Sequence, residues 1–360
     1  MKLPDGKKAD DEDARSIPLL DSEELPSMRQ NTSTVSGIRR MLMWCRRLLL
    51  CWFDGHEDAG MALDHESKQL DRVRTIPFFV MHVAVFAVFW VGWSPVAVTT
   101  AVLLYGIRMF AITGFYHRYF SHRSFRTSRG IQLVFACIGA SAAQRGPLWW
   151  AANHRVHHAH SDQPSDVHSP RHHGLWWSHM GWFLAHNQLA TKLTRIKDFA
   201  RYPELHFLNR YDVLVPIILA VSVFFFGEWL GSLYPDSGTN GWQMLVWGFV
   251  VSTVALWHGT FTINSFSHRF GSQRYATSDD SRNNFLLALL TMGEGWHNNH
   301  HQYPSATRQG FRWWEIDMTY YLLRGLQFCG LIWDIRPVPA WVLNQPDQSS
   351  QDTHSKKIAI

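Results

Sequence analysis

The chain is poor in cysteine, and the four that occur in 360 residues include no CxxC pair. A disulfide framework or a zinc ribbon is therefore excluded as the basis of the fold. The HExxH pattern of zinc peptidases and the GxSxG pattern of acyl hydrolases are also missing. The formal net charge is only +5, without a basic stripe interleaved with aromatic residues. A nucleic-acid partner is not expected, and an anionic membrane surface or redox partner fits the charge better.

Polar and apolar segments alternate along the chain and divide it into four parts. Residues 1–36 are polar and predict a disordered tail. Residues 37–72 begin with a basic, Leu- and Trp-rich segment that predicts a helix lying on the membrane surface, although an ordinary surface helix has the same pattern. Residues 73–341 hold the long apolar stretches, and residues 342–360 form a polar C-terminal tail.

The fold class indicated by the apolar stretches is an all-α integral membrane protein. Four stretches approach the roughly 20 residues that cross a bilayer, at 76–93, 96–115, 213–230 and 242–263. Short turns pair them as two hairpins. The basic residues before the first stretch place the N-terminus in the cytoplasm, so that 116–212 and 265–360 are cytoplasmic as well. A bacterial inner membrane is favoured over the endoplasmic reticulum.

Eight histidines fall into three spaced groups, and the histidine of NSFSH is a ninth candidate. The groups HRYFSH, HRVHH and HNNHH, with NSFSH, contain His117, His122, His154, His157, His158, His297, His300, His301 and His268. Positions i, i+3 and i+4 share one face of a helix, so each HxxHH is expected to project three imidazoles toward one point. Positions i and i+5 diverge by roughly 140° on an α-helix. His117 and His122 can therefore converge only past a helix end or on a distorted turn.

Histidines in this number and spacing predict a metal centre. Eight or nine nitrogen ligands exceed the four of a structural zinc site and suit two metals with four or five ligands each. Imidazole binds iron, zinc and copper, so the ligands alone leave the metal open. A histidine-rich metal-binding or metal-transport membrane protein is an alternative. No series of intramembrane carboxylates marks an ion path through the apolar stretches, which disfavours transport.

The histidine groups resemble those of the membrane fatty acyl-CoA desaturases of the stearoyl-CoA (delta-9) type. The likeness covers about residues 76–331 and includes NSFSHRFG at 264–271, WWSHMGW at 176–182 and GEGWHNNHHQYPSATR at 293–308. It implies four membrane helices under a cytosolic helical cap. It also implies a di-iron centre held by nine histidines, of which His268 is the ninth, with Asn264 reaching one metal through a water. Zinc is expected to compete for the site during purification.

The same resemblance implies the reaction and its partners. A cis double bond at delta-9 would be introduced into a saturated C16 or C18 acyl chain, with dioxygen as co-substrate. Two electrons would come from a separate donor such as ferredoxin or cytochrome b5 with its reductase, because too little chain follows residue 340 for a haem-binding module. The related histidine-box hydroxylases, which insert oxygen, are the closest alternative.

The resemblance also assigns residues to the substrate. A bent acyl tunnel is implied at Gln144, Trp150, Thr260 and Phe261, although Trp150 beside Trp149 also fits an interfacial anchor. Ala101 and Tyr105 would lie at its far end, with Tyr105 shortening the accepted chain.

The acyl carrier is less well specified by the sequence. Arg145 and Arg155 are candidate headgroup contacts. Where acyl-CoA-binding relatives have basic residues, this chain has His186, Asn187 and Ala152. Acyl-CoA is the expected carrier, with acyl carrier protein or phospholipid as alternatives.

Overall fold

The computed structural model describes residues 39, 41, 51–55 and 68–347. The expected N-terminal tail, most of the interfacial helix and the end of the C-terminal tail lie outside these residues. The chain divides into Met1–Cys45 and Arg46–Ile360, and the description below concerns the second unit.

The described part of this unit is mostly helical, with one small antiparallel strand pair. The strands are β1 (Arg126–Thr127) and β2 (Ile332–Trp333), and Arg126 pairs with Trp333. The helices are α1 (Ile76–Val91), α2 (Pro95–Ser121), α3 (Arg129–Ala140), α4 (Pro147–His160), α5 (Pro170–His173), α6 (Pro203–Arg210), α7 (Leu214–Leu233), α8 (Gly241–His268), α9 (Phe285–Leu290), α10 (His297–Gln302), α11 (Met318–Phe328) and α12 (Ala340–Leu343). Single helical turns link several of them, among them Trp177–Gly181 and Trp182–Leu184.

Among the described residues, three helices are long and apolar enough to cross a membrane: α2, α7 and α8, with 27, 20 and 28 residues. α2 and α8 begin at capping residues, since Ser94 accepts a hydrogen bond from the Ala97 N–H and Asn240 accepts one from the Gln243 N–H. α7 follows Val213 and has no capping side chain. α7 exposes large apolar side chains along its length, including Phe225 and Trp229. Such a surface is typical of contact with lipid rather than water.

The helix ends differ from the expected stretches in an informative way. α2 continues to Ser121 and α8 to His268, beyond the limits at 115 and 263. Their last turns carry histidines, which hydropathy does not count as membrane residues. α1 has 16 residues from Ile76 to Val91, or about 24 Å of rise, which is shorter than the roughly 20 residues of an upright span.

Arg108 lies inside the protein between α2 and α8, the interior position expected for a charge within an apolar stretch. Its guanidinium donates hydrogen bonds to Thr253 Oγ1 at 2.7 Å and to Ser252 Oγ at 2.5 Å. A further bond reaches the Ser141 carbonyl at 3.4 Å. These bonds fix the position of α2 relative to α8, on the N-terminal side of the histidines that each helix carries near its end.

Candidate metal centre

The C-terminal end of α2 is distorted at the first histidine group. Ala111–Ser121 is a π-helix, and the His122 N–H donates to the His117 carbonyl, five residues back. The wider π turn brings i and i+5 onto one face. The His117 and His122 rings consequently lie 4.9 Å apart between centroids. The HxxxxH spacing required such a distorted turn.

Each HxxHH segment divides its imidazoles between two groups, so the expectation of three rings aimed at one point is wrong. On α4, His154 and His158 face one group and His157 faces the other. On α10 the single residue is again the middle one, His300. At about 100° per residue, positions i and i+4 lie only 40° apart around the helix axis. Position i+3 lies on the other side of i, so it is farther from i+4 than i is. The spacing therefore serves two metals from one helix.

The structure brings all nine expected histidines together, in sets of five and four. Within each set the candidate ligand atoms all lie within 4.8 Å of one another. The five-histidine group contains His117, His122, His154, His158 and His300, and the four-histidine group contains His157, His268, His297 and His301. Most of these side chains are fully buried, and the others are partly buried.

Four carboxylates each contact the Nδ1 atom of a candidate ligand histidine. Nδ1–H of His268 donates to Asp162 at 2.7 Å, and that of His157 donates to Asp166 at 3.0 Å. The same nitrogen contacts a carboxylate in two further histidines, in the pairs His117–Glu294 and His301–Asp279. A donor bond at Nδ1 fixes the tautomer and leaves the Nε2 lone pair for a metal.

Burial keeps the remaining imidazoles neutral, as ligands must be. Loss of solvation, followed by the charge of neighbouring imidazoles, holds the pKa of His154, His158 and His300 far below the usual value. Burial alone would raise the pKa of Asp166, but His168 and His157 hold it below its usual range. Neutral rings backed by ionised carboxylates are the donor set that a divalent metal requires.

Two observations test whether these residues fit metal ions. Nε2 of His301 is buried without a hydrogen-bond partner among the described residues, although its Nδ1 is bound to Asp279. Paired Nε2 atoms face each other at 3.0 Å, as in His117–His300 and His268–His297. Two nitrogens at about 2.1 Å from one metal and roughly 90° apart are separated by about this distance. The residues therefore fit two metal sites.

Arg118 supports the five-histidine group indirectly, through a carboxylate that contacts His117. It donates to Glu294 Oε1 at 3.0 Å and to Asp317 Oδ1 at 2.9 Å, and all three side chains are buried. Glu294 therefore lies between an arginine and His117. The network joins α2 to the segment before α10 and to the start of α11.

The orienting carboxylates were not identified from the sequence. Asp162 and Asp166 follow α4 in SDQPSD, Glu294 precedes His297 by three residues, and Asp279 lies in a loop after α8. Acidic residues this close to histidine clusters are a usable signal, because ligating histidines usually donate to a carboxylate.

An apolar cavity of about 540 Å³ begins beside both histidine groups. His117 and His154 of the first group and His157 and His297 of the second line it. Its walls come from α1, α7 and α8, for which Phe78, Val221 and Trp257 are representative. Gln144, Trp150, Thr260, Phe261, Arg145 and Asn264 also line it.

Comparison with known proteins decides the family. The profile described as Fatty acid desaturase matches residues 92–330, which contain all nine histidines. The chain belongs to the fatty acid desaturase family.

This desaturase is similar to sn-1 stearoyl-lipid 9-desaturases of two cyanobacteria. It is 36% identical to that of Anabaena variabilis over 271 residues, which are 74% of this chain and 94% of the relative. It is also 36% identical to that of Synechocystis sp. over 307 residues, which are 83% of this chain and 92% of the relative. Acyl-CoA 5-desaturase AL21 of Anemone leveillei is 36% identical over 260 residues, 71% of this chain and 76% of the relative.

Some expected substrate residues of the desaturase lie away from the cavity. Ala101 and Tyr105 are not among its lining residues, and the Tyr105 hydroxyl donates to the Leu290 carbonyl at 2.6 Å. Arg155 is also absent from the lining and forms a two-pronged pair with Asp198, at 2.8 and 2.9 Å.

Three histidines outside the metal groups form a hydrogen-bonded chain next to the cavity wall. His82 Nδ1 must donate to the Phe78 carbonyl, at 2.7 Å, because a carbonyl only accepts. His258 Nε2–H then donates to His82 Nε2 at 3.1 Å, and His179 Nε2–H donates to His258 Nδ1 at 3.0 Å. Ser265 completes the chain at His179 Nδ1, at 2.9 Å. The chain ties α1 and α8 of the desaturase to the turn at Trp177–Gly181.

Proposed function

We propose that this desaturase introduces a cis double bond at the delta-9 position of a saturated C16 or C18 acyl chain, using dioxygen. The observation that carries the proposal is the placement of both histidine groups at the wall of an apolar cavity. A cavity of about 540 Å³ lies within the usual range of small-molecule sites. Its apolar walls suit an alkyl chain, which would be held with two adjacent methylenes beside the histidines.

The histidine groups would hold two iron ions, with His117, His122, His154, His158 and His300 at one and His157, His268, His297 and His301 at the other. Iron bound there would activate dioxygen, the oxidant that removes two hydrogens from unactivated methylenes. Asn264 lines the cavity beside them and is proposed to reach one ion through a water.

The chain's own residues position the substrate and shield it from water. Gln144 donates to Thr260 Oγ1 at 2.8 Å, which joins the loop before α4 to α8 across the cavity wall. Trp150 and Phe261 supply large apolar surfaces on either side. Holding one pair of carbons in place determines where the double bond forms. A C–H bond of a methylene offers no acidic proton, so no general base is assigned.

A membrane lipid is proposed as the acyl carrier, with acyl-CoA as the second candidate. The two arginines expected at a CoA headgroup already have carboxylate partners: Arg145 pairs with Asp212 at 3.3 Å, and Arg155 pairs with Asp198. Acyl-lipid relatives support this choice. Acyl-CoA is favoured by Arg74 and Arg145, which both line the cavity.

The membrane arrangement is proposed from helix lengths and from the relatives. α2, α7 and α8 would cross the bilayer, with α1 as a fourth, shorter span. The histidine groups would then face the cytoplasm of a bacterial cell, and electrons would come from a separate ferredoxin or cytochrome b5. Cyanobacterial relatives support a bacterial membrane.

Lipid analysis tests the function. The chain is expressed in a host whose lipids contain no delta-9 monoene, and fatty acid methyl esters are analysed by mass spectrometry. A new delta-9 C16 or C18 monoene is expected. A hydroxy acid would instead show a hydroxylase, and unchanged lipids with intact, iron-loaded protein would contradict desaturation.

The carrier is tested in isolated membranes from the same cells. They receive either deuterated stearoyl-CoA or vesicles whose phospholipid carries deuterated stearate at sn-1. Label should reach the monoene from the vesicles while the acyl chain stays on the lipid. Labelled oleoyl-CoA appearing before any labelled lipid would favour acyl-CoA.

A further inference from the structure

We propose that a second pocket, which shares no lining residue with the acyl cavity, is the docking surface for an acidic one-electron carrier protein. This arginine pocket has a volume of about 400 Å³ and is defined by its charged residues Arg123, Arg126, Arg201, Arg336, Asp198 and Asp334. It is formed by the end of α2, the strand pair and the segment before α6. None of these residues lines the acyl cavity.

The inference rests on the proposed function, because that reaction needs electrons from outside the substrate. Removal of two hydrogens from the acyl chain provides two electrons, whereas reduction of dioxygen to two waters takes four. The balance is one saturated chain, one dioxygen, two electrons and two protons giving one cis-monoene and two waters. Two reduced carriers, each a one-electron donor, would supply the missing pair.

The charge of the arginine pocket favours an acidic partner. Four arginines and two aspartates give it a net charge of +2. Both aspartates are already paired: Asp334 with Arg126 at 3.3 Å, and Asp198 with Arg155 at 2.8 Å. Arg201 and Arg336 are exposed and have no carboxylate partner within salt-bridge distance among the described residues. A positive cleft of this kind steers an oppositely charged partner and increases its association rate.

The arginine pocket is close to the metal ligands along two segments of chain. Arg123 directly follows His122 at the end of α2. Asp198 binds Arg155, which directly follows His154 on α4. Arg155 also donates to the carbonyls of Phe120 and Ser121, at 2.7 and 2.9 Å. The pocket residue Arg123 is therefore adjacent in sequence to one ligand candidate, and a single residue, Arg155, lies between the pocket and a second candidate on α4.

Aromatic rings fill the space between the arginine pocket and α2. Phe199 lines the pocket, and its ring lies 5.2 Å from Tyr119 and 5.0 Å from Phe120 between centroids. Trp333 of β2 stands exposed at the rim. An exposed ring surrounded by arginines is typical of a protein interface, where aromatic and arginine residues carry much of the binding energy.

The test compares a protein reductant with a small one. Full-length protein in detergent is supplied with dioxygen and acyl substrate. Electrons come either from a plant-type [2Fe–2S] ferredoxin, which is acidic, with its reductase, or from methyl viologen that reduces the protein anaerobically and is removed before dioxygen is added, because the reduced dye itself reacts with dioxygen. The double variant Arg201→Glu/Arg336→Glu reverses two pocket charges without changing any proposed ligand or cavity residue. Arg324→Glu, at an exposed arginine of α11 outside the pocket, is the matched control.

The double variant is expected to raise the KM for ferredoxin roughly tenfold or more and to weaken its dependence on salt. The Kd for ferredoxin, titrated without substrate, should rise in parallel, and turnover with methyl viologen should remain at the wild-type level. Arg201→Lys/Arg336→Lys should retain the wild-type KM.

Three results would overturn the inference. The first is an unchanged KM and Kd for ferredoxin in the double variant. The second is an equal loss with both reductants, since that would mean that the arginines support the enzyme itself. The third is an effect of Arg324→Glu as large as that of the double variant. Wild-type protein that makes no monoene with either reductant would refute the proposed function, and this inference with it.

Discussion

His268 donates from Nδ1 to a carboxylate oxygen of Asp162 at 2.7 Å, across 106 residues of chain. Both side chains are buried, and the other ring nitrogen, Nε2, lies 3.0 Å from Nε2 of His297 in the four-histidine group. Asp162 is tied down further by Ser169, whose hydroxyl donates to its other oxygen at 2.5 Å. The carboxylate therefore fixes both the tautomer and the orientation of a proposed ligand that lies far away in sequence.

Asp162→Asn should reduce metal affinity and activity about 10–100-fold, because an amide keeps the shape but loses the charge that supports His268. Metal analysis and turnover of the purified variant measure both. Asp280→Asn is the matched control, since Asp280 contacts Asp162 only through its backbone N–H, at 2.8 Å, and its side chain pairs at the surface with Arg171. Equal metal content in wild type and Asp162→Asn would contradict the assigned role.

Replacing any one of the nine histidines by alanine should abolish the monoene while the protein remains in the membrane. The variants are made at His117, His122, His154, His157, His158, His268, His297, His300 and His301. His206→Ala is the control, because this histidine is exposed and, within the described part of the chain, its ring bonds only the Ala200 carbonyl. An active His157→Ala or His300→Ala enzyme, judged by methyl-ester analysis, would remove that residue from the centre.

Arg118→Met should lower the free energy of unfolding by about 3–5 kcal/mol, because it leaves two buried carboxylates without their cation. Those carboxylates are Glu294 and Asp317. The thermal midpoint of detergent-solubilised protein gives the measurement. Arg129→Met removes the arginine of an exposed pair with Glu204 and should have a much smaller effect. Equal shifts in both variants would argue against an essential buried network.

Chain length should depend on Phe249 rather than on Tyr105. Phe249 lines the cavity 15 residues before Asn264 on α8, or about 22 Å along the helix from the metal end. Phe249→Ala should therefore shift the products toward longer monoenes. Tyr105→Phe loses only the hydrogen bond to Leu290 and should leave the C16 to C18 ratio unchanged. A shift in Tyr105→Ala, with none in Phe249→Ala, would place the end of the tunnel at Tyr105 instead.

Spacing predicted which histidines come together but not their division into two groups. The nine histidines could be selected because i, i+3, i+4 and i+5 patterns leave few geometric choices. Their separation into five and four depends on how α4 and α10 face each other, which is a tertiary property. Helix geometry alone could not have separated them, because at about 100° per residue His157 lies only about 60° from His154, against about 40° for His158.

Hydropathy predicted the long apolar helices α2, α7 and α8 but not their ends, and the first of the four expected spans is the shorter helix α1. α2 and α8 continue as helices into polar, histidine-bearing turns, where an apolar average falls although the backbone hydrogen bonds persist. The position of Tyr105 could not be predicted either. A 3.6-residue period places a ring on a helix face, but which face meets the cavity depends on the packing of α2 against α8.

The metal-to-protein ratio tests the central claim most directly. Purified protein reconstituted with ferrous iron under anaerobic conditions should contain two iron ions per chain. His122→Ala changes only the five-histidine group, and His297→Ala changes only the four-histidine group. Each should retain about one ion by elemental analysis. One iron ion per wild-type chain, or two retained in both variants, would contradict a centre built from two separate histidine groups.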